Sequence, residues 1–214
     1  MLKDPEETYC PANRKDWREW LQENHQSRQS VWLVCLKASF GTPNISWSEA
    51  VEEALCFGWI DSVRKTLDEE RFIQFFSKRR PNSTWSKINK KKVQQLTEAK
   101  LMTKAGFESI ARARQNGSWA ILDEAEKLIV PKDLEKALSD TPGAKVFFQN
   151  LNASGKKGIL QWIVLAKRMD TRKKRIAEVA DLLSLTRRNW KSAHTLLNST
   201  FLTTFQKFVY RKLA

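Results

Sequence analysis

Residues 46–77 run SWSEAVEEALCFGWIDSVRKTLDEERFIQFFS, and this stretch predicts one helix followed by a β-hairpin. Ser46 and Glu49 form an S-x-x-E capping box, in which each side chain accepts a hydrogen bond from a backbone N–H group that the first helical turn leaves unpaired. Apolar residues then recur at helical spacing as far as Gly58, a residue type that often ends a helix. Two strand-like segments follow and flank a four-residue turn at 67–70.

Outward from this stretch, apolar spacing predicts one more strand and several further helices. The predicted elements are helix 16–24, strand 31–36, hairpin strands 59–66 and 71–77, and helices 85–100, 105–116, 133–138, 144–151, 158–168 and 172–183. The residues expected to face inward on the helices over 85–100 and 105–116 are Ile88, Val93, Leu96, Phe107, Ile110 and Ala111. Gly117 suits the position after the second of these helices.

This order of elements predicts an α+β fold in two parts. In the first part, residues 1–120, we expect a small antiparallel sheet with helices packed against it. In the second, residues 121–214, we expect an all-α helical bundle, with the tail from Arg187 as one further helix.

Composition indicates a globular protein with a strong positive charge. The 214 residues are 41% hydrophobic and 29% charged, which is not typical of disordered chains. Lys and Arg number 38 against 24 Asp and Glu, a formal net charge of +14, and the segments 63–104 and 156–191 hold 23 of those cations. A positive balance of this size favours anionic partners, either a nucleic acid or a smaller anionic ligand.

Targeting and cysteine patterns predict a cytoplasmic protein without metal or cofactor. The N-terminus is polar and has no apolar core of a signal peptide. The apolar stretch 159–166 is far shorter than the roughly 20 residues that a membrane-spanning helix needs. Cys10, Cys35 and Cys56 have neither zinc-site nor disulfide-framework spacing, and we expect them to be reduced thiols.

The best candidate for an anion site is the stretch RRPNSTWSK, residues 79–87. Arginine forks, hydroxyls and a helix N-terminus are the groups that bind phosphate or carboxylate. The candidate ligand-binding residues here are Arg79, Arg80, Ser83, Trp85, Ser86 and Lys87, joined by Arg64 and Lys65 if the hairpin packs beside this helix. The alternative is an ordinary helix cap at Ser83 or Ser86 with solvated arginines.

The stretch GWIDS, residues 58–62, is a second candidate. Trp59 offers a stacking surface and Asp61 a general base or ligand anchor. In the alternative interpretation, which we favour for so short a motif, Trp59 fills the core and Asp61 accepts hydrogen bonds from nearby backbone N–H groups.

Lysines and arginines also form a candidate basic face for a phosphate backbone. Its residues are Lys90, Lys91, Lys92, Lys167, Arg168, Arg172 and Arg175. The common meaning of such runs is a solvated helix face, and that alternative stays open. We identify no catalytic residue, since His25 and His194 stand far apart and no nucleophile with a base and an orienting group is evident.

Several collinear strings resemble the YdeI/OmpD-associated family, also called bacteriocin-protection proteins. They are Trp17-x-x-Trp20-Leu21-x-x-Asn24-His25, Glu52-x-Ala54-Leu55-Cys56-Phe57-Gly58-Trp59-Ile60-Asp61-Ser62, Arg79-Arg80-Pro81-x-Ser83-x-Trp85-Ser86 and Trp162-Ile163-x-x-Ala166-Lys167-Arg168. The resemblance spans roughly residues 14–183. It implies a link to resistance against antimicrobial peptides and to an outer-membrane porin, and it implies no particular reaction.

We therefore predict a basic binding protein that acts in peptide resistance or stress and engages a polyanion or a phosphorylated ligand through residues 63–104 and 156–191. One alternative is an enzyme or small-molecule sensor with a Trp, Asp and Arg pocket in the first part. The other is a module that binds a protein partner through its helical second part. The sequence leaves the oligomeric state open.

Overall fold

The computed structural model describes residues 8–188, without the side chains of Phe40 and of 185–188. Within it the chain forms two compact units, which meet in the sequence between Ala120 and Ile121. Unit 1 contains all the strands that the structure describes, and the described part of unit 2 is helical.

Unit 1 alternates helices with the strands of one sheet. Its elements are β1 Thr8–Tyr9, α1 Arg14–Asn24, β2 Ser30–Leu36, a 3-10 turn Ala38–Phe40, α2 Trp47–Cys56, β3 Trp59–Thr66, β4 Arg71–Lys78, α3 Lys87–Glu98 and α4 Lys104–Gln115. Unit 2 contains α5 Asp123–Glu126, α6 Lys132–Asp140, α7 Ala144–Asn150, α8 Ala153–Val164 and α9 Met169–Arg188. The tail helix predicted from Arg187 lies almost wholly outside the described residues.

The predicted α+β class is confirmed, but the sheet is mixed rather than antiparallel. Its strand order is β1-β2-β4-β3. The β3–β4 hairpin and the β2–β4 pair are antiparallel, while β1 adds a parallel strand at the edge beside Trp32 and Leu33. Sequence periodicity missed β1 because two residues are too few to show an alternation.

The helix-to-hairpin stretch folds as its local signals predict. Ser46 and Glu49 form the complete capping box at the start of α2. Gly58 follows α2 with φ +72°, a left-handed conformation that favours glycine, and the chain enters β3 directly. A bulge between Asp61 and Arg64 shifts the register of β3 against β4.

The core of unit 1 lies between the sheet and its helices and includes fully buried tryptophans at 17, 59 and 85. On α3, Val93 and Leu96 are buried as predicted, but Ile88 is 63% exposed. That prediction was wrong because Ile88 lies in the first turn of α3, whereas Val93 and Leu96, further along the helix, belong to the core cluster.

The prediction of which α4 residues face the core was wrong in part. Ile110 is buried, but Phe107 and Ala111 are exposed. The reason is Gly106, whose missing side chain lets α4 approach the end of α2 so closely that a Cβ there would collide with the Cys56 carbonyl oxygen. The helix therefore turns Gly106 toward the core and Phe107 outward.

Unit 2 has a core of its own, built from α5 to α9. Its largest fully buried side chains include Leu134, Leu160 and Ile163, with Trp162 beside them. Of the helices in residues 8–188, none combines the length and the apolar character needed to cross a membrane.

Candidate functional site

Two adjoining cavities of about 470 Å³ and 350 Å³ lie in unit 1 around Phe57. We call them together the Phe57 cleft. Both are lined by His25, Gln26, Phe57, Ala105 and Glu108. The first is also lined by Arg18, Gln22, Thr103 and Lys104, and the second by Gly58, Lys78, Arg79 and Arg112. Their volumes fall in the range typical of small-molecule sites.

The first turn of α4 forms one wall of the Phe57 cleft, and Thr103 holds it in place. The Thr103 hydroxyl donates a hydrogen bond to the Cys56 carbonyl oxygen at 2.6 Å, and its Oγ1 caps the helix by accepting from the Gly106 N–H. The N-terminus of α4 is thereby fixed against the end of α2, next to Phe57. A helix N-terminus in this position favours a negative charge.

The floor of the cleft is the buried Phe57 ring, with one side chain of α1 and one side chain from the residue that ends α1 over it. The Arg18 guanidinium carbon lies 5.4 Å from the ring centroid, and the His25 ring centroid lies 5.2 Å away. His25 Nδ1 is 2.9 Å from the Leu21 carbonyl oxygen, so this nitrogen carries the hydrogen. Within residues 8–188, His25 Nε2 has no hydrogen-bond partner and is available to a ligand.

Two of the cations around the cleft already have partners inside unit 1. Arg18 donates to Glu53 Oε2 at 2.6 Å, and Glu53 also accepts from Arg14 Nε at 2.6 Å. Lys78 Nζ donates to the Gln26 carbonyl oxygen at 2.7 Å. These contacts anchor α1 to α2, and the residues after α1 to the end of β4.

The other three cations, Arg79, Lys104 and Arg112, form no ion pair with any residue that the structure describes. Glu108 is the one acidic residue among those that line the cleft, and it too lacks an ion-pair partner in the described chain. Among the described residues, three unpaired cations thus face one unpaired carboxylate, and the cleft has an excess of positive charge.

Arg79 differs from the exposed cations Lys104 and Arg112 because it is half-buried and its Nε atom is fully buried. Its guanidinium carbon lies 3.6 Å from the centroid of the Trp85 ring, and both terminal nitrogens donate to the Thr84 carbonyl oxygen at 3.2 and 3.4 Å. Its Nε is buried without a hydrogen-bond partner. Burial lowers the pKa of Arg79 to about 10, and the nearby Asp61 carboxylate only partly offsets this effect.

Of the predicted site residues, the two tryptophans lie in the core. Trp59 is 0% exposed and Trp85 is 1% exposed, so neither offers a face to a ligand. Asp61 accepts a hydrogen bond from Trp47 Nε1 at 2.9 Å and lies 3.5 Å from Gln74 Nε2. Side chains of α2 and β4, rather than the local backbone N–H groups that we expected, therefore hold this carboxylate.

The predicted cations of β3 pack on the sheet. Arg64 lies 3.6 Å from the centroid of the Phe72 ring, and Lys65 Nζ lies 4.8 Å from the centroid of Trp32. Neither residue lines the Phe57 cleft.

At the start of α3, Ser86 Oγ caps the helix by accepting from the Asn89 N–H at 3.2 Å, while Ser83 is half-buried and Arg80 and Lys87 are exposed. Of the stretch 79–87, only Arg79 lines the cleft in the described structure.

The predicted basic face divides into partnered and exposed residues. Lys92 Nζ contacts Glu52 Oε1 at 2.6 Å, and Lys90 Nζ lies 5.3 Å from the centroid of the Trp119 ring. In unit 2, Arg172 contacts both carboxylate oxygens of Asp133, and Arg175 donates to the Trp162 carbonyl oxygen while its guanidinium lies over that ring. The residues left exposed are Lys91, Lys167 and Arg168.

Sequence analysis missed most of the Phe57 cleft. Lys104, Glu108 and Arg112 recur every fourth residue along α4, and a row of charges with this spacing is the signal that was available. The packing of α4 against His25 and Phe57, which makes this row one wall of a cleft, depends on contacts between distant residues that no local pattern reveals.

Comparison with protein families finds a match to a different family model within each unit. Residues 127–185 match the family described as "Bacteriocin-protection, YdeI or OmpD-Associated", which confirms the resemblance in unit 2. Residues 9–109 match a "Domain of unknown function (DUF8412)", and the cleft residues from Arg18 to Glu108 lie within that match. No curated protein and no solved structure matches the chain.

Proposed function

We propose that the chain is a cytoplasmic protein of bacteriocin protection that acts by binding a phosphorylated ligand in the Phe57 cleft. The family match over residues 127–185 supports the association with bacteriocin protection. The uncompensated positive charge of the cleft supports an anionic ligand. The absence of an assembled nucleophile and base among the residues that line it favours binding over catalysis.

The observation that carries the proposal is the environment of Arg79. A guanidinium that loses water without gaining a carboxylate raises the free energy of the folded protein. A phosphate oxygen bound from the cleft supplies the missing acceptor, and charge-assisted hydrogen bonds of this kind are strong when water is excluded. Lys104 and Arg112 add positive charge from α4.

The segment 63–104, in which we expected a basic binding surface, contributes Lys78, Arg79 and Lys104 to the cleft. The segment 156–191 contributes a separate set of exposed cations in unit 2, which are Lys167, Arg168, Lys173 and Lys174. These exposed residues favour a second function, in which a polyanion such as a nucleic acid binds unit 2. Binding of this kind weakens steeply as salt rises.

The alternative pocket around Trp59 and Asp61 has less support. Trp59 has no exposed surface, and the Asp61 carboxylate is occupied by the Trp47 indole. A third proposal is that unit 2 binds a protein partner. If it does, a partner captured by the full chain should be lost when residues 121–214 are removed.

A titration with inorganic phosphate, followed by 1H–15N NMR, tests the proposed site. We expect the Gly58 and Gly106 amides to shift, since Gly58 lines the cleft and Gly106 lies in the first turn of α4 beside it. Arg79→Met should weaken binding about tenfold, the size of one lost charge-assisted contact. Lys91→Met removes the same charge from an exposed position of α3 and should change affinity less than twofold. Equal losses in the two variants, or no shifts in the wild type, would contradict the proposal.

A further inference from the structure

The charges of the Phe57 cleft are arranged in a pattern rather than spread evenly. Lys104, Glu108 and Arg112 are spaced four residues apart, so they form one row along α4 with the acid in the middle. Eight residues of helix span about 12 Å. Lys104 lines the first cavity, Arg112 lines the second, and Glu108 lines both.

Charges with this spacing commonly pair with each other on a helix surface, and here they do not. Among the described ion pairs there is none between Glu108 and either Lys104 or Arg112. All three residues line the cleft instead. The row therefore presents two separate positive ends and a negative centre to whatever occupies the cleft.

Residues of other elements reinforce both positive ends. Arg18 of α1, although paired with Glu53, lines the first cavity together with Lys104. Lys78 at the end of β4 and Arg79 directly after it line the second together with Arg112. The centre holds groups of a different kind. His25, Gln26 and Glu108 offer hydrogen-bonding atoms there, and Phe57 and Ala105 offer apolar surface.

A ligand with charge along its whole length is a poor match for this pattern, since its middle would face the Glu108 carboxylate. Lys104, Glu108 and Arg112 are exposed side chains, and like charges at short distance still repel each other in water. A neutral spacer that carries hydroxyl groups avoids the repulsion and donates hydrogen bonds to Glu108.

From this arrangement we infer that the ligand of the Phe57 cleft is a small molecule with two phosphate groups at opposite ends of a neutral, hydroxyl-bearing spacer, that is, a polyol bisphosphate. The inference rests on the proposed function, because it assigns a ligand class to the same site. One phosphate lies at Lys104 and the N-terminus of α4, beside the Arg18 that Glu53 already pairs, and the other lies among Lys78, Arg79 and Arg112.

Isothermal titration calorimetry on the full chain tests the ligand class with four probes: fructose 1,6-bisphosphate, fructose 6-phosphate, tripolyphosphate and inorganic phosphate. We expect the bisphosphate to bind at least tenfold more tightly than the monophosphate, because its second phosphate binds without a second loss of translational freedom. Inorganic phosphate should bind at two sites per chain. Lys104→Met and Arg112→Met should each reduce that number to one and lower the affinity for the bisphosphate to that of the monophosphate.

Two further variants distinguish the effect of a charge inside the cleft from the general effect of changing the charge of the protein. Glu108→Gln removes the central charge and should strengthen tripolyphosphate binding more than bisphosphate binding. Lys91→Met is the matched control for the loss of one positive charge outside the cleft, and circular dichroism melting shows whether each variant is folded.

The outcomes distinguish the inference from the proposed function. Equal affinity for the mono- and bisphosphate would overturn the two-ended ligand and leave an anion site at Arg79 standing. Tightest binding of tripolyphosphate would overturn the neutral spacer, and so would an equal effect of Glu108→Gln on tripolyphosphate and bisphosphate binding. If none of the four probes binds, both the ligand class and the proposed function are wrong.

Discussion

Arg172 of unit 2 and Arg79 of unit 1 come from the two segments that hold most of the cations of the chain, and they have opposite surroundings. Arg172 makes two hydrogen bonds to Asp133, at 2.7 and 2.9 Å. Arg79 is half-buried like Arg172, yet within residues 8–188 its hydrogen bonds go to the Thr84 carbonyl oxygen, its guanidinium lies over the Trp85 ring, and it forms no ion pair. The first arginine joins α6 to α9, while the second carries the charge that we propose a ligand neutralises.

Unit 1 by itself also contains both paired and unpaired cations. Arg14 and Arg18 share the carboxylate of Glu53, which is 3% exposed. Lys104, at the start of α4, has no such partner in the described chain. The number of cations in a segment therefore does not tell which of them bind ligands, because that depends on where the carboxylates lie.

The largest effect that we expect concerns the thiols, and it gives a probe that reports on unit 1 alone. All three cysteines lie in unit 1. Burial raises the pKa of Cys35 to about 12 and that of Cys56 to about 11, whereas Cys10 is exposed. At neutral pH we expect iodoacetamide to label Cys10 and to label the other two more than about 100-fold more slowly, because the thiolate is the reactive form. Mass spectrometry that finds all three labelled in the native protein would contradict this.

That probe makes it possible to test the paired cations of unit 1. Glu53→Gln leaves Arg14 and Arg18 without their buried counterion and should lower the free energy of unfolding of unit 1 by about 3 kcal/mol. Urea denaturation followed by Cys56 labelling measures the change. Glu19→Gln, which removes an exposed pairing with Lys15, is the control and should cost less than about 0.5 kcal/mol. Similar costs for the two variants would remove the contrast between paired and unpaired cations.

Arg79→Met should affect ligand binding more than stability, whereas Glu53→Gln should affect stability. We expect the stability of unit 1 to change by less than about 1 kcal/mol, because the lost contact with Trp85 is offset by removal of a buried charge. The affinity for phosphate should fall about tenfold, which corresponds to about 1.4 kcal/mol. Parallel denaturation and phosphate titrations measure both quantities. A large loss of stability with unchanged affinity would make Arg79 a structural residue like Arg172.

The smallest effect concerns the partnered arginine of unit 2. Asp133→Asn should lower the stability of unit 2 by less than about 1 kcal/mol at pH 7, since Asp133 is 45% exposed. Amide hydrogen exchange in α6 and α9 measures this change for unit 2 by itself. Asp140→Asn, which removes a more exposed pairing with Lys136, should have a smaller effect still.

The pH dependence of that effect follows from the pKa of Asp133. The hydrogen bonds from Arg172 lower this pKa below its ordinary value. The stabilising effect is therefore fully present above pH of about 4 and is lost as the pH falls through the lower value in the folded state. We expect the difference between wild type and Asp133→Asn to disappear in acid. A difference that persists at about pH 2 would rule out the ion pair as its source.

Local signals predicted most of the secondary structure and little of the cleft. The Ser46 capping box, the hairpin over 59–77 and the turn at Gly58 depend on residues a few positions apart, and all of them are present in the structure. Strand β1 and the outward turn of Phe107 depend on contacts with other elements, and the sequence patterns missed both. Of the cleft residues, Arg79 alone was named as a candidate side chain, although Lys78 and Lys104 lie in the segment 63–104 where we expected a binding surface.

The sequence by itself determined the α+β order of elements and the large positive charge, because capping, helical periodicity and turn formation act between residues that are close in the chain. Only the tertiary structure decided which cations are neutralised. Arg172 meets Asp133 across 39 positions, Arg18 meets Glu53 across 35, and α4 comes close to α2 because Gly106 has no side chain. Electrostatic attraction acts through space rather than along the chain, so the unpartnered charge of Arg79 became visible only when the positions of all the described carboxylates were known.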